Sequence, residues 1–183
     1  MKNKRIIIAG GTGFIGQELI KYFGRENEII ILTRQLKHSK TNRNDHTSLS
    51  DDDLLHTRFV KWDGTTPGEW VNEMNGAALV INLAGKSVNC RYTKKNKKEI
   101  LESRVNATRV IGEAINKASD PPELWINASS ATIYKHAVDK PGDEYTGEFH
   151  DDFSVQVCKQ WEKAFNEQET PKTRKVALRM AIT

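Results

Sequence analysis

The chain has 183 residues, with 28 Lys and Arg against 24 Asp and Glu, for a formal net charge of +4. That length suits one core burying roughly 70% of the unfolded surface, and leaves little room for a second domain. A composition of 37% hydrophobic and 28% charged residues excludes a disordered, fibrous or membrane-spanning chain. No apolar run approaches the roughly 18–20 residues of a transmembrane helix, so no membrane partner is expected. Cys90 and Cys158 form neither a CxxC pair nor a disulfide framework, which predicts a reducing, cytoplasmic setting.

Arg5 to Ala9 (RIIIA) is a continuous β-branched run, the pattern of a strand buried on both faces of a parallel sheet. It is too short for a signal-peptide core. Gly13 to Phe23 reads as an amphipathic helix and Glu28 to Thr33 (EIIILT) as a second buried strand. Gln35 to His56 is polar, contains Asp51-Asp52-Asp53, and reads as a mobile surface insertion. Strands at Arg58 to Trp62 and Ala78 to Asn82 follow. From Thr93 to Ala118 a long helix is predicted. Ile100, Val105, Ile111, Ala114, Ile115 and Ala118 recur at three- to four-residue spacing, Thr93 suits an N-cap, and Pro121-Pro122 bars continuation. Leu124 to Ala128 (strand), Asp151 to Gln168 (helix) and Val176 to Arg179 (strand) complete the chain. The alternation predicts an α/β fold, a doubly wound parallel sheet of right-handed crossovers, in one domain over residues 1–183.

Between the first strand and the first helix lies Gly10-Gly11-Thr12-Gly13-Phe14-Ile15-Gly16. Gly10 permits a sharp turn, Gly13 permits backbone to approach a pyrophosphate, and Gly16 permits close helix packing. The helix N-terminus then offers free N–H groups to phosphates. Strand before and helix after make this an NAD(P)-binding Rossmann fingerprint rather than an unliganded glycine turn. Gln17-Glu18 stands where a nucleoside-triphosphate loop needs Lys-Ser/Thr. An NAD site places an acid at the tip of the second strand; here Leu32-Thr33-Arg34 ends in a guanidinium suited to a 2′-phosphate, with Lys37 nearby. The expected cofactor is NADP(H). The competing reading of Arg34 is a solvated loop cation.

Asn82-Leu83-Ala84-Gly85 and Ser129-Ser130-Ala131-Thr132-Ile133-Tyr134, together with GGTGFIG, resemble the extended short-chain dehydrogenase/reductase superfamily. Ser103-Arg104-Val105-Asn106-Ala107-Thr108-Arg109 and Cys158-Lys159-Gln160-Trp161-Glu162 resemble its atypical, nucleoside-diphosphate-sugar-epimerase-like branch. The resemblance implies that Gly10, Thr12, Gly13, Phe14, Ile15 and Gly16 form the pyrophosphate loop. It implies that Thr33 and Arg34 hold the adenosine phosphate, that Asp63 faces the adenine, and that Leu83, Ala84 and Gly85 lie along the cofactor's middle. Arg104 replaces the Asn of many members and would reach a phosphate or substrate; Glu99 would orient it or accept from a ribose hydroxyl. The bland alternatives are a salt-bridged Arg and a surface Glu.

Active members use Ser or Thr with a Tyr-x-x-x-Lys pair, in which an ammonium and the cofactor ring depress the phenol enough for general-base work. Ser130 takes the serine position, with Ser129 beside it. The pair is absent: anchoring on Trp161-Glu162 puts Ser154 at the Tyr position and Cys158 at the Lys position. Tyr134 is the candidate substitute base, against a packing role. Cys158 reads as a buried hydrophobe, and the five histidines show no metal-ligand spacing, so no metal is expected. The basic run Arg91 to Lys98 lacks the interleaved aromatics of a nucleic-acid site and reads as a solvated helix face; no nucleic-acid partner is expected. The expected function is an NADP(H)-binding oxidoreductase or isomerase with a small-molecule substrate, a nucleotide sugar being one candidate. The alternative is a non-catalytic NADP(H) sensor or docking protein. A homodimer is compatible with the sequence, which does not fix oligomeric state. Read against the family, Thr183 follows the sixth strand, where substrate-binding segments are expected to begin.

Overall fold

A strand with isoleucine at consecutive positions has an apolar side chain on each face, so it needs helices on both sides of its sheet. The computed structural model, which describes residues 1–36, 49–135 and 142–181, meets that need. Among the described residues six strands form one sheet: β1 (Arg5–Ala9), β2 (Glu28–Thr33), β3 (Thr57–Lys61), β4 (Leu79–Asn82), β5 (Leu124–Ser130) and β6 (Arg174–Met180). Their order is β3-β2-β1-β4-β5-β6, and all pairings are parallel. The expected doubly wound sheet is therefore present.

The sheet is covered by the α-helices α1 (Phe14–Phe23), α2 (Lys94–Lys117) and α3 (Phe153–Asn166). Ile7, Ile30, Leu32 and Val80 face one way, packing with Trp70, Ile111, Trp125 and Phe165. Ile6, Ile8, Ile29, Ile31 and Ile81 face the other way, toward Ile20 of α1. The Thr93 hydroxyl caps α2 by accepting from the Asn96 N–H, as its position predicts, and the Asp152 carboxylate caps α3 by accepting from the Val155 N–H.

Three departures stand out. The β3–β4 connection carries a 3₁₀ turn, Glu69–Met74, that buries Trp70 and Met74; its six residues are too few for a helical period to show in sequence. β5 runs on through Ser129 and Ser130, which the sequence placed after the strand. The polar stretch before β3 is anchored at its C-terminal end, where Leu49 and Leu54 pack against the Ile29–Ile31 side of the core. The Asp53 carboxylate there accepts from the Ser50 N–H and hydroxyl. Lys37 and most of that stretch lie outside the described residues.

Candidate functional site

Strand order reverses between β1 and β4, and in open parallel sheets ligands bind in the crevice at the C-terminal ends beside such a reversal. A cleft of about 1020 Å³ opens there. Of the sequence-predicted residues, Gly10, Thr12, Gly13, Thr33, Arg34, Asp63, Leu83, Ala84, Gly85 and Glu99 line it. Phe14 is exposed at the start of α1, Ile15 is half-buried and Gly16 is buried.

The glycines divide their work. Gly10 has φ of 76°, and a Cβ on it would stand 3.0 Å from the Ala84 nitrogen. Gly16 packs against the loop itself rather than the strand, because a Cβ there would lie 2.4 Å from the Gly11 Cα. Gly13 differs: its φ of −78° suits any residue, and an added Cβ would approach only the Gly10 carbonyl oxygen, at 3.5 Å. Its bareness therefore leaves room in the cleft and serves no packing. No side chain caps α1 at Gly13, so first-turn N–H groups remain for an anion. This loop fits a dinucleotide pyrophosphate.

Opposite the loop, Asp63 is turned into its own backbone. Its carboxylate accepts from the Thr65 and Thr66 N–H groups at 2.7 and 2.8 Å and from the Thr66 hydroxyl at 2.5 Å. Those donors hold its carboxyl well below the usual range. Glu99 pairs with the Lys86 ammonium and not with Arg104. That hydrogen bond lowers the Glu99 carboxyl's pKa. Arg104 is half-buried beneath the Gly85–Lys86 backbone. Its Nη1 donates to the Lys86 and Ile100 carbonyls at 3.0 and 2.9 Å, and its guanidinium lies 5.3 Å from the Trp161 ring. Burial lowers its pKa. Arg104 thus shapes the floor of the cleft from below. Lys86 and Ser103 also line the cleft and were missed; their position after Asn82-Leu83-Ala84-Gly85 and in the Arg104 segment is the only sequence signal for them.

Ser130 caps the short turn after β5: its oxygen accepts from the Thr132 N–H at 3.2 Å and lies 2.9 Å from the Thr132 hydroxyl. Thr132 in turn stands 3.6 Å from the Cys158 sulfur. Burial pushes the Cys158 thiol up, so it is a neutral core group packed with Ile133 and Val155. Tyr134 accepts at its hydroxyl from Arg179 Nη1 at 2.6 Å. Arg179 also forks onto Glu162, with Nε and Nη2 each 2.8 Å from a carboxylate oxygen. The Ser129 hydroxyl donates to Glu162 at 2.5 Å. These four residues tie β5, α3 and β6 together. The basic run is also engaged: Lys95 and Lys98 form i,i+4 pairs with Glu99 and Glu102, and Lys97 lies 4.9 Å from the Phe153 ring. Among the described residues no group of His, Cys, Asp and Glu is placed to hold a metal ion, and no helix is long and apolar enough to cross a membrane.

Burial pushes the Glu162 carboxyl up, but Arg179 and Ser129 outweigh it and hold it below its usual value. The folded state therefore takes up this proton less readily than the unfolded chain. The resulting stability is complete above the ordinary carboxylate range and disappears as pH falls through the folded value. Arg179→Met leaves the carboxyl with burial opposed by the Ser129 hydrogen bond alone. Its stability deficit against the native chain is expected to be largest at pH 7 and to shrink between about pH 5 and 3. Urea unfolding across that range tests this; a deficit independent of pH would mean the charge on Glu162 is not what Arg179 holds.

The strand order and the glycine loop at the reversal point define a Rossmann-type α/β protein. Residues 6–160 match the family described as NAD dependent epimerase/dehydratase, and the chain belongs to that family. Epimerase family protein SSP1921 of Staphylococcus saprophyticus is 34% identical over 180 residues, covering 98% of this chain and 55% of its own length. Epimerase family protein YfhF of Bacillus subtilis is 32% identical over 180 residues, with 97% and 54% covered. The chain thus spans about half the length of the curated relatives it matches. Human epimerase family protein SDR39U1, solved with NADPH, superposes with a TM-score of 0.71 at 25% identity, over 96% of this chain and 52% of that one. The UDP-N-acetylglucosamine 4-epimerase of Methanobrevibacter ruminantium gives 0.69 at 21% over 98% and 55%, a likeness of fold.

Proposed function

We propose that this chain is the NADP(H)-binding core of an epimerase-like oxidoreductase or isomerase acting on a small molecule, with a nucleotide sugar as the leading candidate. The observation that carries the reading is Arg34 at the tip of β2, lining the same cleft as the bare Gly10–Gly13 loop. No acid stands at that tip to take a ribose 2′-hydroxyl, and a guanidinium there favours a 2′-phosphate. The human relative solved with NADPH supports the same choice. When bound, the dinucleotide supplies or accepts the hydride. The N–H groups at the start of α1 hold its pyrophosphate, with Arg104 setting the floor opposite through the Lys86 carbonyl. Ser130 presents its hydroxyl to a substrate oxygen, and Tyr134, oriented by Arg179, is the candidate base. The two cysteines, Cys90 and Cys158, are free thiols, which suits the cytoplasm.

Titration with NADPH and NADH, followed by the fluorescence of Trp62 in the cleft wall, tests the cofactor. NADPH is expected to bind at least about tenfold more tightly, one charge-assisted contact being worth about 1.5 kcal/mol. Arg34→Ala is expected to shrink the difference by about that factor, whereas equal affinity of the native chain for the two, or a preference for NADH, would overturn the assignment. A second reading, a non-catalytic NADP(H) sensor, is favoured by the buried, neutral Cys158 thiol at the position where active relatives carry Lys. Tight NADPH binding without oxidation by a panel of carbonyl and nucleotide-sugar substrates selects it.

A further inference from the structure

Behind Arg34 the cleft opens into a smaller pocket of about 340 Å³, lined by Arg34, Lys61, Trp62, Asp63 and Thr66 among others. Arg34, Trp62 and Asp63 line both spaces. The parallel register brings Lys61 here: it is the last residue of β3 and pairs with Thr33, the residue before Arg34. Two cations 27 positions apart in sequence thus end on neighbouring strands at one wall.

Among the described residues, their surroundings leave both charges for a ligand. Asp63, the acid in this pocket, has its oxygens filled by Thr65 and Thr66. Among the described residues neither Arg34 nor Lys61 joins an ion pair, whereas Arg58, three residues earlier on β3, is forked onto Glu73 at 2.8 Å. Trp62 meets Trp70 edge to face at 5.5 Å, and the Trp70 indole N–H donates to the Thr66 carbonyl. The apolar wall and the Asp63 turn are therefore fixed against each other. A phosphate monoester carries about −1.5 to −2 at pH 7, more than one guanidinium neutralises. A planar fork and a flexible ammonium are complementary ways of meeting it.

We infer that Lys61 is the second cation of a 2′-phosphate pocket and, with Arg34, sets the preference for the phosphorylated dinucleotide. The inference rests on the NADP(H) reading above. Lys61 is a specificity residue, remote from the hydride-bearing end, and its contribution lies in binding.

The test compares dissociation constants of NADPH, NADH and 2′,5′-ADP for the native chain, Lys61→Met and Lys61→Arg by calorimetry. Lys61→Met is expected to weaken NADPH and 2′,5′-ADP about tenfold, which is about 1.4 kcal/mol, with NADH changed less than twofold. Lys61→Arg is expected to restore most of the loss. The preference of the native chain for NADPH over NADH is expected to fall from pH 7.5 to 5.5, as the phosphate takes up a proton near pH 6, and to fall less in Lys61→Met. Equal weakening of both dinucleotides, or of neither, overturns the role of Lys61 while leaving the cofactor assignment intact. A native chain that binds NADH as tightly as NADPH removes the cofactor assignment and this inference together.

Discussion

Gly13→Ala is expected to fold with stability within about 1 kcal/mol of the native chain and to lose dinucleotide binding roughly a hundredfold. The first half follows from the backbone: φ is −78° and the added methyl has only the Gly10 carbonyl within 4 Å, at 3.5 Å. A small capping loss at the N-cap is offset by the lower entropy of the unfolded chain. The second half follows from where the methyl points. Two charge-assisted hydrogen bonds displaced from a pyrophosphate, at about 1.5 kcal/mol each, correspond to roughly that factor. Gly16→Ala is the contrasting variant. Its Cβ meets backbone of Gly11 at 2.4 Å, and backbone cannot swing aside as a side chain can. That variant is expected to lose more than about 2 kcal/mol. Calorimetric titration beside urea unfolding separates the two. Full binding in Gly13→Ala would show that no ligand approaches the loop there.

Thr108→Val is expected to destabilise the domain by about 3 kcal/mol, equivalent to a fall in Tm of about 6–12 °C for a chain of this size. The Thr108 hydroxyl is fully buried. It accepts from the Trp161 indole N–H at 2.9 Å and from the Asn82 amide at 3.2 Å, and it donates to the Asn127 carbonyl oxygen at 3.2 Å. Asn82 also donates to Asn127 at 2.7 Å and accepts from the Ala84 N–H at 3.1 Å. Every member is satisfied, so one isosteric deletion strands the buried Trp161 indole N–H and one of the two Asn82 amide hydrogens, while the Asn127 oxygen keeps Asn82. Thr108→Ser keeps the hydroxyl and is expected to cost only about 1 kcal/mol for its methyl. Similar losses in the two variants would locate the effect in packing. Because Ala84 hangs on this network, Thr108→Val is also expected to loosen the cleft floor.

What was readable from the sequence was local. The β-branched runs announced buried strands because a parallel strand declares both faces in its own residues, and the glycine loop sat between strand and helix where its geometry demanded. Thr93 and Pro121-Pro122 bounded α2 for the same reason. Groups joined across long stretches of chain were invisible as pairs. Trp161 and Glu162 served in sequence only to align a helix, yet one holds Thr108 and the other Arg179. Asn82 and Asn127 lie 45 residues apart and meet across neighbouring strands. Glu99 was read beside Arg104 by helical spacing, but Lys86 from the preceding loop captured it. Lys61 gained its meaning only from the β2–β3 register.

The strand order has a consequence for how such a chain assembles during synthesis. β1 emerges first and ends in the interior of the sheet, with β2 and then β3 added on one flank, and β4, β5 and β6 added in turn on the other. Each new strand meets an edge whose neighbour has already been made, so no strand waits for a later one and none must be inserted between two others. Parallel pairing is slow because its crossovers are long, and slow intermediates with open edges aggregate. Growth outward from β1 keeps each intermediate to one continuous sheet with two short edges, and β6 is pinned as it arrives, when Arg179 closes onto Glu162.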